Sequence, residues 1–252
     1  MNEFESAVNI VHDSLRRMRE EGAALRASAS SLRALSAAAP APRPPRDKAA
    51  RIAALRERAL VCQKCPHLAR TRRTVVFGVG NIDAELMFAG EAPGVDEDAA
   101  GEPFVGRAGQ LLTKIIETMG YSRGDVYIAN VLKCRPDTPP GSPGNRRPTP
   151  EEMATCLPYL VEQIESIQPK VLVALGGVAM EGLLGDVRPM RELRGRWHAF
   201  RGIPVMATYH PSYLLRNQSP GEKRKVWEDM LEVLRKLGRP ISAKQQGYFL
   251  PK

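Results

Sequence analysis

The chain has 252 residues, enough for one large domain or two small ones, and a 43% hydrophobic share that supports a sizeable core. With 37 Lys and Arg against 28 Asp and Glu, the formal charge is +9. That excess favours a polyanionic partner through counterion release, with simple solubilisation as the alternative. There is no apolar run of the roughly 18 residues a membrane-spanning helix needs, and Glu3, Glu5 and Asp13 interrupt any signal-peptide core. The expected compartment is a reducing cytoplasm, where cysteines bind metal more readily than they pair.

Phe4, Val8, Val11, Leu15, Met18 and Leu25 fall on a four–three spacing, which predicts a helical extension over residues 2–35. Its apolar stripe either packs on its own domain or docks on a partner protein. The AAPAPRPPR stretch at 38–46 cannot hold a helix and reads as a stiff extended linker, so the folded domain begins near Asp47. From there helices and strands alternate. Helix Lys48–Leu60 precedes strand Glu85–Ala89, helix Arg107–Met119 and strand Val126–Asn130. Helix Glu151–Ile167, strand Val171–Leu175 and a short helix Val178–Leu184 follow. Strand Val205–Thr208 and an amphipathic helix Glu222–Leu237 close the pattern. Strands separated by helices imply βαβ crossovers and a parallel sheet covered on both faces. The proline-rich piece Arg135–Pro150 reads as a surface loop, and residues 240–252 as a C-terminal tail.

All four cysteines fit one site: Cys62 and Cys65 as a C-x-x-C pair, completed by Cys134 and Cys156. Four soft ligands suit zinc or a [4Fe–4S] cluster, and spacing alone does not decide. The competing reading is a redox C-x-x-C with Cys134 and Cys156 as small core residues. Such motifs directly follow a strand, whereas this pair ends a predicted helix.

Two strand ends carry the candidate pocket. After Glu85–Ala89, Gly90 and Gly94 flank Pro93 and allow a sharp, open-backboned turn. Glu91, Asp96, Glu97 and Asp98 crowd one loop beyond it, either as a solvated acidic stretch or with one carboxylate held in a special environment. Phe104 lies in a segment without helical or strand period, placed to stack on a flat ring or to plug the local core. Asn130 ends the second strand; its amide can read N3–H and O4 of a pyrimidine or cap the next turn. His210 ends the fourth strand and can donate to a developing anion or serve structure alone. Ser212 and Arg216 then suit phosphates, and Tyr213, Leu214 and Leu215 an apolar wedge.

GEAPGVDEDAAGEPFVGRAGQLL from Gly90, NVLKCRP from Asn130 and HPSYLLR from His210 together resemble the uracil-DNA glycosylase superfamily, most closely its family 4, the iron–sulfur bacterial and archaeal type. The resemblance covers about Leu55 to Leu237 and implies a catalytic domain over residues 47–239. It implies a three-layer α/β/α sandwich around a four-stranded parallel sheet. It also implies a monomeric repair enzyme that hydrolyses the N-glycosidic bond of deoxyuridine in single- or double-stranded DNA, at work on the bacterial nucleoid. By that resemblance Glu91 and Ala92 contact uracil, Phe104 stacks on it, Asn130 reads its edge and His210 faces O2. Glu97, the second candidate catalytic residue with His210, sits beside base and sugar, either to position the water or to exclude a 5-methyl group. Ser212, Leu214 and Arg216 meet the DNA, and the four cysteines hold a [4Fe–4S] cluster. The chain departs from some branches in having Ala92 where they place a catalytic aspartate, which leaves the water-activating group open. A related cross-linking branch carries a histidine in the loop after the second strand; none lies between Arg135 and Pro150, so turnover is expected.

Overall fold

The computed structural model describes residues 47–138 and 144–250. The expected N-terminal helix and proline-rich linker lie outside the described residues. In chain order the helices are α1 Lys48–Leu60, α2 Pro66–Thr71, α3 Val95–Ala100, α4 Arg107–Thr118 and α5 Pro150–Ile167. They continue with α6 Gly177–Leu184, α7 Met190–Leu193, α8 Pro211–Arg216, α9 Pro220–Lys236 and α10 Ala243–Gly247. The strands are β1 Val79–Gly80, β2 Leu86–Gly90, β3 Tyr127–Asn130, β4 Val171–Leu175, β5 Trp197–Phe200 and β6 Ile203–Thr208.

The strand order is β1-β3-β2-β4-β6-β5. The central four, β3, β2, β4 and β6, pair in parallel, as expected. The sheet nevertheless has six strands, because β1 and β5 add antiparallel edges. Neither edge advertises itself, since β1 is two residues long and β5 is half exposed. β5 turns into β6 through Arg201 and Gly202, at φ 48° and 82°. Positive φ at both central residues is the type I′ signature of a tight hairpin, and Gly202 makes it inexpensive.

The period of two along each strand sorts side chains between two cores. Met87, Ala89, Leu172, Ala174, Val205 and Ala207 face α1, α5 and α6. Leu86, Phe88, Val171, Val173, Leu175 and Met206 face α4 and α9. Buried on both faces, these strands read as continuous apolar runs, and helices cover each side. Full burial of one such side chain stabilises the fold by roughly 1.5–3 kcal/mol. The segment after residue 239 folds back on the second layer: Trp227 Nε1 donates to the Gln245 carbonyl at 2.6 Å, and Gln245 Nε2 to the Thr118 carbonyl at 2.8 Å. Among the described residues no helix is long and apolar enough to cross a membrane.

Register places the chemistry. Gly90 pairs with Asn130, and Leu175 with Thr208, so the central strands end at one level. The sheet order reverses between β2 and β4, the crevice where open α/β sheets bind ligands.

Candidate functional site

A cavity of about 420 Å³ opens at that edge, and Glu91, Ala92, Glu97, Phe104, Asn130, His210, Ser212 and Arg216 all line it. The residues predicted from three separate motifs therefore meet in one place. Leu214 does not. It is 5% exposed and turned inward, because Pro211 and Leu214 form the buried stripe of α8. Its expected place on the DNA side is corrected: one turn of helix carries it away from the face that bears Ser212 and Arg216.

The acidic stretch follows the second of its two readings, carboxylates held in place, but as the start of a helix. Asp96, Glu97 and Asp98 occupy the first turn of α3, where the helix dipole favours negative charge. Asp98 is buried and accepts from the Arg73 and Thr74 amides. Glu97 is a fastener: Oε2 accepts from the Gly94 amide, and Oε1 from the amides of Val105 and Gly106, each at 3.0 Å. Three backbone donors hold this carboxylate as it borders the cavity. Glu91, in contrast, is half-buried, and among the described residues no donor is bonded to its carboxylate. Burial raises its carboxyl, and Arg147 draws it partly back.

Phe104 takes φ 55°, a left-handed backbone that a bulky residue adopts only under constraint. Its ring is 6% exposed and lies 5.5 Å from the His210 ring. Two glycines make the seat. A Cβ on Gly90 would come within 2.5 Å of Phe104 Cζ and 2.4 Å of Asn130 Oδ1, and one on Gly109 would strike the Phe104 carbonyl at 1.9 Å. Gly109→Ala is accordingly expected to cost about 3 kcal/mol through overpacking against backbone. Thermal unfolding should register that as a midpoint roughly 6–12 °C lower.

Asn130 is 2% exposed, and among the described residues no donor is bonded to its buried Oδ1. Buried acceptors are almost always satisfied, so an orphan beside a cavity marks where a ligand donor belongs. The backbone beneath is pinned: Lys133 Nζ donates to the Asn130 carbonyl at 2.9 Å and to Gln163 Oε1 at 2.6 Å.

His210 caps α8, and its Nδ1 accepts from the Ser212 amide at 3.1 Å, with Ser212 Oγ at 2.8 Å. An accepting Nδ1 carries no proton, so the neutral ring bears its hydrogen on Nε2. Burial, helped by Arg216, pushes its pKa down to about 4. The ring is therefore neutral over the physiological range, with Nε2–H as its remaining donor.

Sequence reasoning missed Asn145, Arg146 and Arg147, which line the cavity from the stretch expected to be a plain surface loop. The signal was there, in two adjacent arginines near the end of a proline-rich run. Arg146 bridges Asp137 and Glu152, and Glu152 also meets His67 at 2.7 Å, so this side of the pocket is tied to the cysteine segments.

The four cysteines are free, Cys62 and Cys65 partly exposed and Cys134 and Cys156 buried, and near enough for Cys65 and Cys156 each to feel the charges of Cys62 and Cys134. Arg72 Nη1 donates to Cys134 Sγ at 3.1 Å, and the Lys133 amide to Cys156 Sγ at 3.2 Å. Burial raises the thiols of Cys65, Cys134 and Cys156, the last to about 12. Sulfurs that accept hydrogen bonds and face an arginine suit thiolate ligation of a positive centre.

A family model, the uracil DNA glycosylase superfamily, matches residues 77–231. The chain is 49% identical to the type-4 uracil-DNA glycosylase of Thermotoga maritima, over 69% of this chain and 88% of the relative. It is 41% identical to that of Archaeoglobus fulgidus, over 75% and 92%, and 43% identical to that of Saccharolobus solfataricus, over 72% and 84%. The matched span includes β2 through β6 and every residue lining the cavity, so by sequence as well as by fold this chain belongs to the uracil DNA glycosylase superfamily.

Proposed function

We propose that the protein excises uracil from DNA by hydrolysing the N-glycosidic bond of deoxyuridine, leaving an abasic site. The observation that carries this reading is the orphaned Asn130 Oδ1, buried beside a cavity bounded by Phe104 and His210. A base must leave the stack to enter, which costs a few kcal/mol and less from single strands or mismatches. Phe104 stacks on the flipped ring. Asn130 Oδ1 accepts from N3–H, and its amide nitrogen donates to O4. His210 Nε2–H donates to O2. As the C1′–N1 bond breaks, its electron pair moves onto the uracil ring, and the donor at O2 stabilises charge present mainly in the transition state. Water then bonds to C1′ as one of its protons passes to the Glu91 carboxylate, and uracil departs as the anion.

Glu97 is spent on three amides, so we assign it the shape of the loop and the fixed negative charge near His210. The carboxylate available to orient the water is Glu91. Arg216, exposed beside the cavity and close enough to depress His210, and Ser212 suit the flanking phosphates. The names of the three relatives and the basic charge of the chain support the same substrate.

The reading is tested with a uracil-containing oligonucleotide and the full-length protein, followed by alkaline cleavage of abasic sites. Strand breaks should appear at the uracil position alone. Their absence at any enzyme concentration sinks the reading and leaves a silent DNA-binding protein of the same fold.

We further propose that Cys62, Cys65, Cys134 and Cys156 hold a [4Fe–4S] cluster. What supports this is the donor set: four free thiols, with Cys134 accepting from Arg72 and Cys156 from the Lys133 amide, the kind of hydrogen bonding that suits thiolate ligands. When bound, such a cluster supplies a cross-link between α2, the β3 exit and α5. Cys134→Ser is expected to remove iron and sulfide and to lower soluble yield more than it lowers excision per folded molecule. Metal and sulfide analysis checks this. Stoichiometric zinc without iron in the wild-type protein overturns the cluster.

A further inference from the structure

The turn that carries His210 is held from a side that the cavity does not reach. Asp229, buried on α9, accepts from Thr208 Oγ1 at 2.6 Å, two residues before His210. Arg194 grips the same carboxylate through two bonds, Nη2 to Oδ1 at 2.6 Å and Nε to Oδ2 at 3.2 Å. Its Nη2 also donates to the Lys225 carbonyl at 2.5 Å, which ties it to α9. The guanidinium lies 5.8 Å from the Tyr209 ring centroid, and Tyr209 stacks on Tyr213 at 4.4 Å. Tyr213 in turn donates to Glu222 at 3.0 Å. Thr208, two residues before the imidazole, and Tyr213, three after it, are thus anchored to α9, while neither Asp229 nor Arg194 lines the cavity.

We propose that Asp229 and Arg194 are positioning residues for His210: buried Asp229 and half-buried Arg194 fix the Thr208–Tyr213 turn so that Nε2–H meets the leaving oxygen of the base. This rests on the reading of His210 as the donor to O2. An ion pair in a core is a weak source of stability, and hydrophobic replacements of similar volume are often neutral or better. Burial pushes the Asp229 carboxyl up to about 6, so Thr208 and Arg194 offset only part of the cost of keeping it charged. A bidentate, directional pair supplies what apolar packing lacks, a fixed azimuth for the chain leaving β6. Hydrogen-bond donors in such sites act only when aimed, because small misplacements far from the chemistry carry large rate penalties.

The test separates aim from mere folding by changing the leaving group. Fluorine at C5 makes N1 more acidic, so 5-fluorouracil departs with less help from a donor at O2 than uracil does. Single-turnover excision of both bases is measured with the full chain as wild type, Asp229→Asn, Thr208→Val and His210→Ala. His210→Ala is expected to raise the 5-fluorouracil-to-uracil rate ratio by about tenfold or more, as loss of a transition-state donor requires. Asp229→Asn and Thr208→Val should each raise that ratio by about threefold or more with little change in KM. The double variant His210→Ala with Asp229→Asn should go no higher than His210→Ala alone, since both act through one group. A merely structural loss slows both bases equally and leaves the ratio at its wild-type value. If Asp229→Asn and Thr208→Val keep the wild-type ratio while His210→Ala shifts it, the positioning role is overturned and the donor role stands. If His210→Ala leaves the ratio unmoved, the donor reading itself fails and the positioning role with it.

Discussion

Replacing His210 by alanine is expected to slow uracil excision by about 10²–10³-fold at saturating DNA, the effect of deleting one oxyanion donor, or about 2.7–4 kcal/mol. The loss should fall on kcat, because the bond to O2 strengthens only as charge accumulates there. The pH dependence distinguishes the form of the donor. Burial and Arg216 hold the ring's pKa near 4, and Nδ1 accepts from the Ser212 amide, so the neutral ring is the working species. The wild-type rate should therefore show no decline as pH rises through about 6.5, the ordinary histidine value. A decline there that His210→Ala abolishes would establish an imidazolium donor instead. Stability has the opposite sense from a salt-bridged histidine. Between about pH 6.5 and 4 the unfolded chain binds a proton that the folded chain refuses. Stability from this residue is thus fully present above about 6.5 and is lost as pH falls toward 4. Thermal midpoints of wild type and His210→Ala across that window should converge on acidification.

The central sheet was legible because its strands are buried on both faces, and runs such as VLVAL at Val171–Leu175 leave little else to be. The edges were not, since β1 has two residues and β5 is recognisable only through the Arg201–Gly202 turn that joins it to β6. Phe104, Asn130 and His210 could be picked out because each stands alone, an aromatic or polar group at a strand end or in a glycine-rich turn. What escaped depended on distant backbone. Nothing local says that Glu97 will be consumed by the amides of Val105 and Gly106, or that Asn145–Arg147 will fold over the pocket mouth. Leu214 was misplaced for a local reason. Tyr213, Leu214 and Leu215 read as one apolar wedge, yet Pro211 at the first helical position and His210 as cap start a helix, whose period turns Leu214 inward. The Asp229–Arg194 pair was equally hidden, because Asp229 looks like any charged residue of an amphipathic helix until Thr208 is placed against it.

Asn130→Ala is expected to abolish most excision while sparing the fold, with a loss of at least about 10²-fold, since a site built to bond a substrate polar group loses that much or more when the pairing fails. The fold should survive because among the described residues no donor is bonded to Oδ1, while the backbone stays pinned through Lys133. Removing an unsatisfied buried acceptor relieves a desolvation penalty of about 1–3 kcal/mol, so the thermal midpoint of the free enzyme should hold or rise. Activity and stability then move in opposite directions, a signature that general damage to the domain cannot produce. The same residue decides between uracil and cytosine. Uracil presents N3–H beside O4, a donor and an acceptor that match the carboxamide, whereas cytosine presents a bare N3 beside an amino group. With the carboxamide oriented for uracil, cytosine leaves Oδ1 facing the N3 lone pair and the amide nitrogen facing another donor, a mismatch at a side chain that is 2% exposed. Such hydrogen-bond mismatches reject by about 10⁴–10⁵-fold. In Asn130→Ala the uracil rate should fall toward the cytosine rate, and the ratio of the two should collapse. Unchanged discrimination in the alanine variant would mean that cytosine is excluded elsewhere, and the orphaned oxygen would no longer point to a pyrimidine edge.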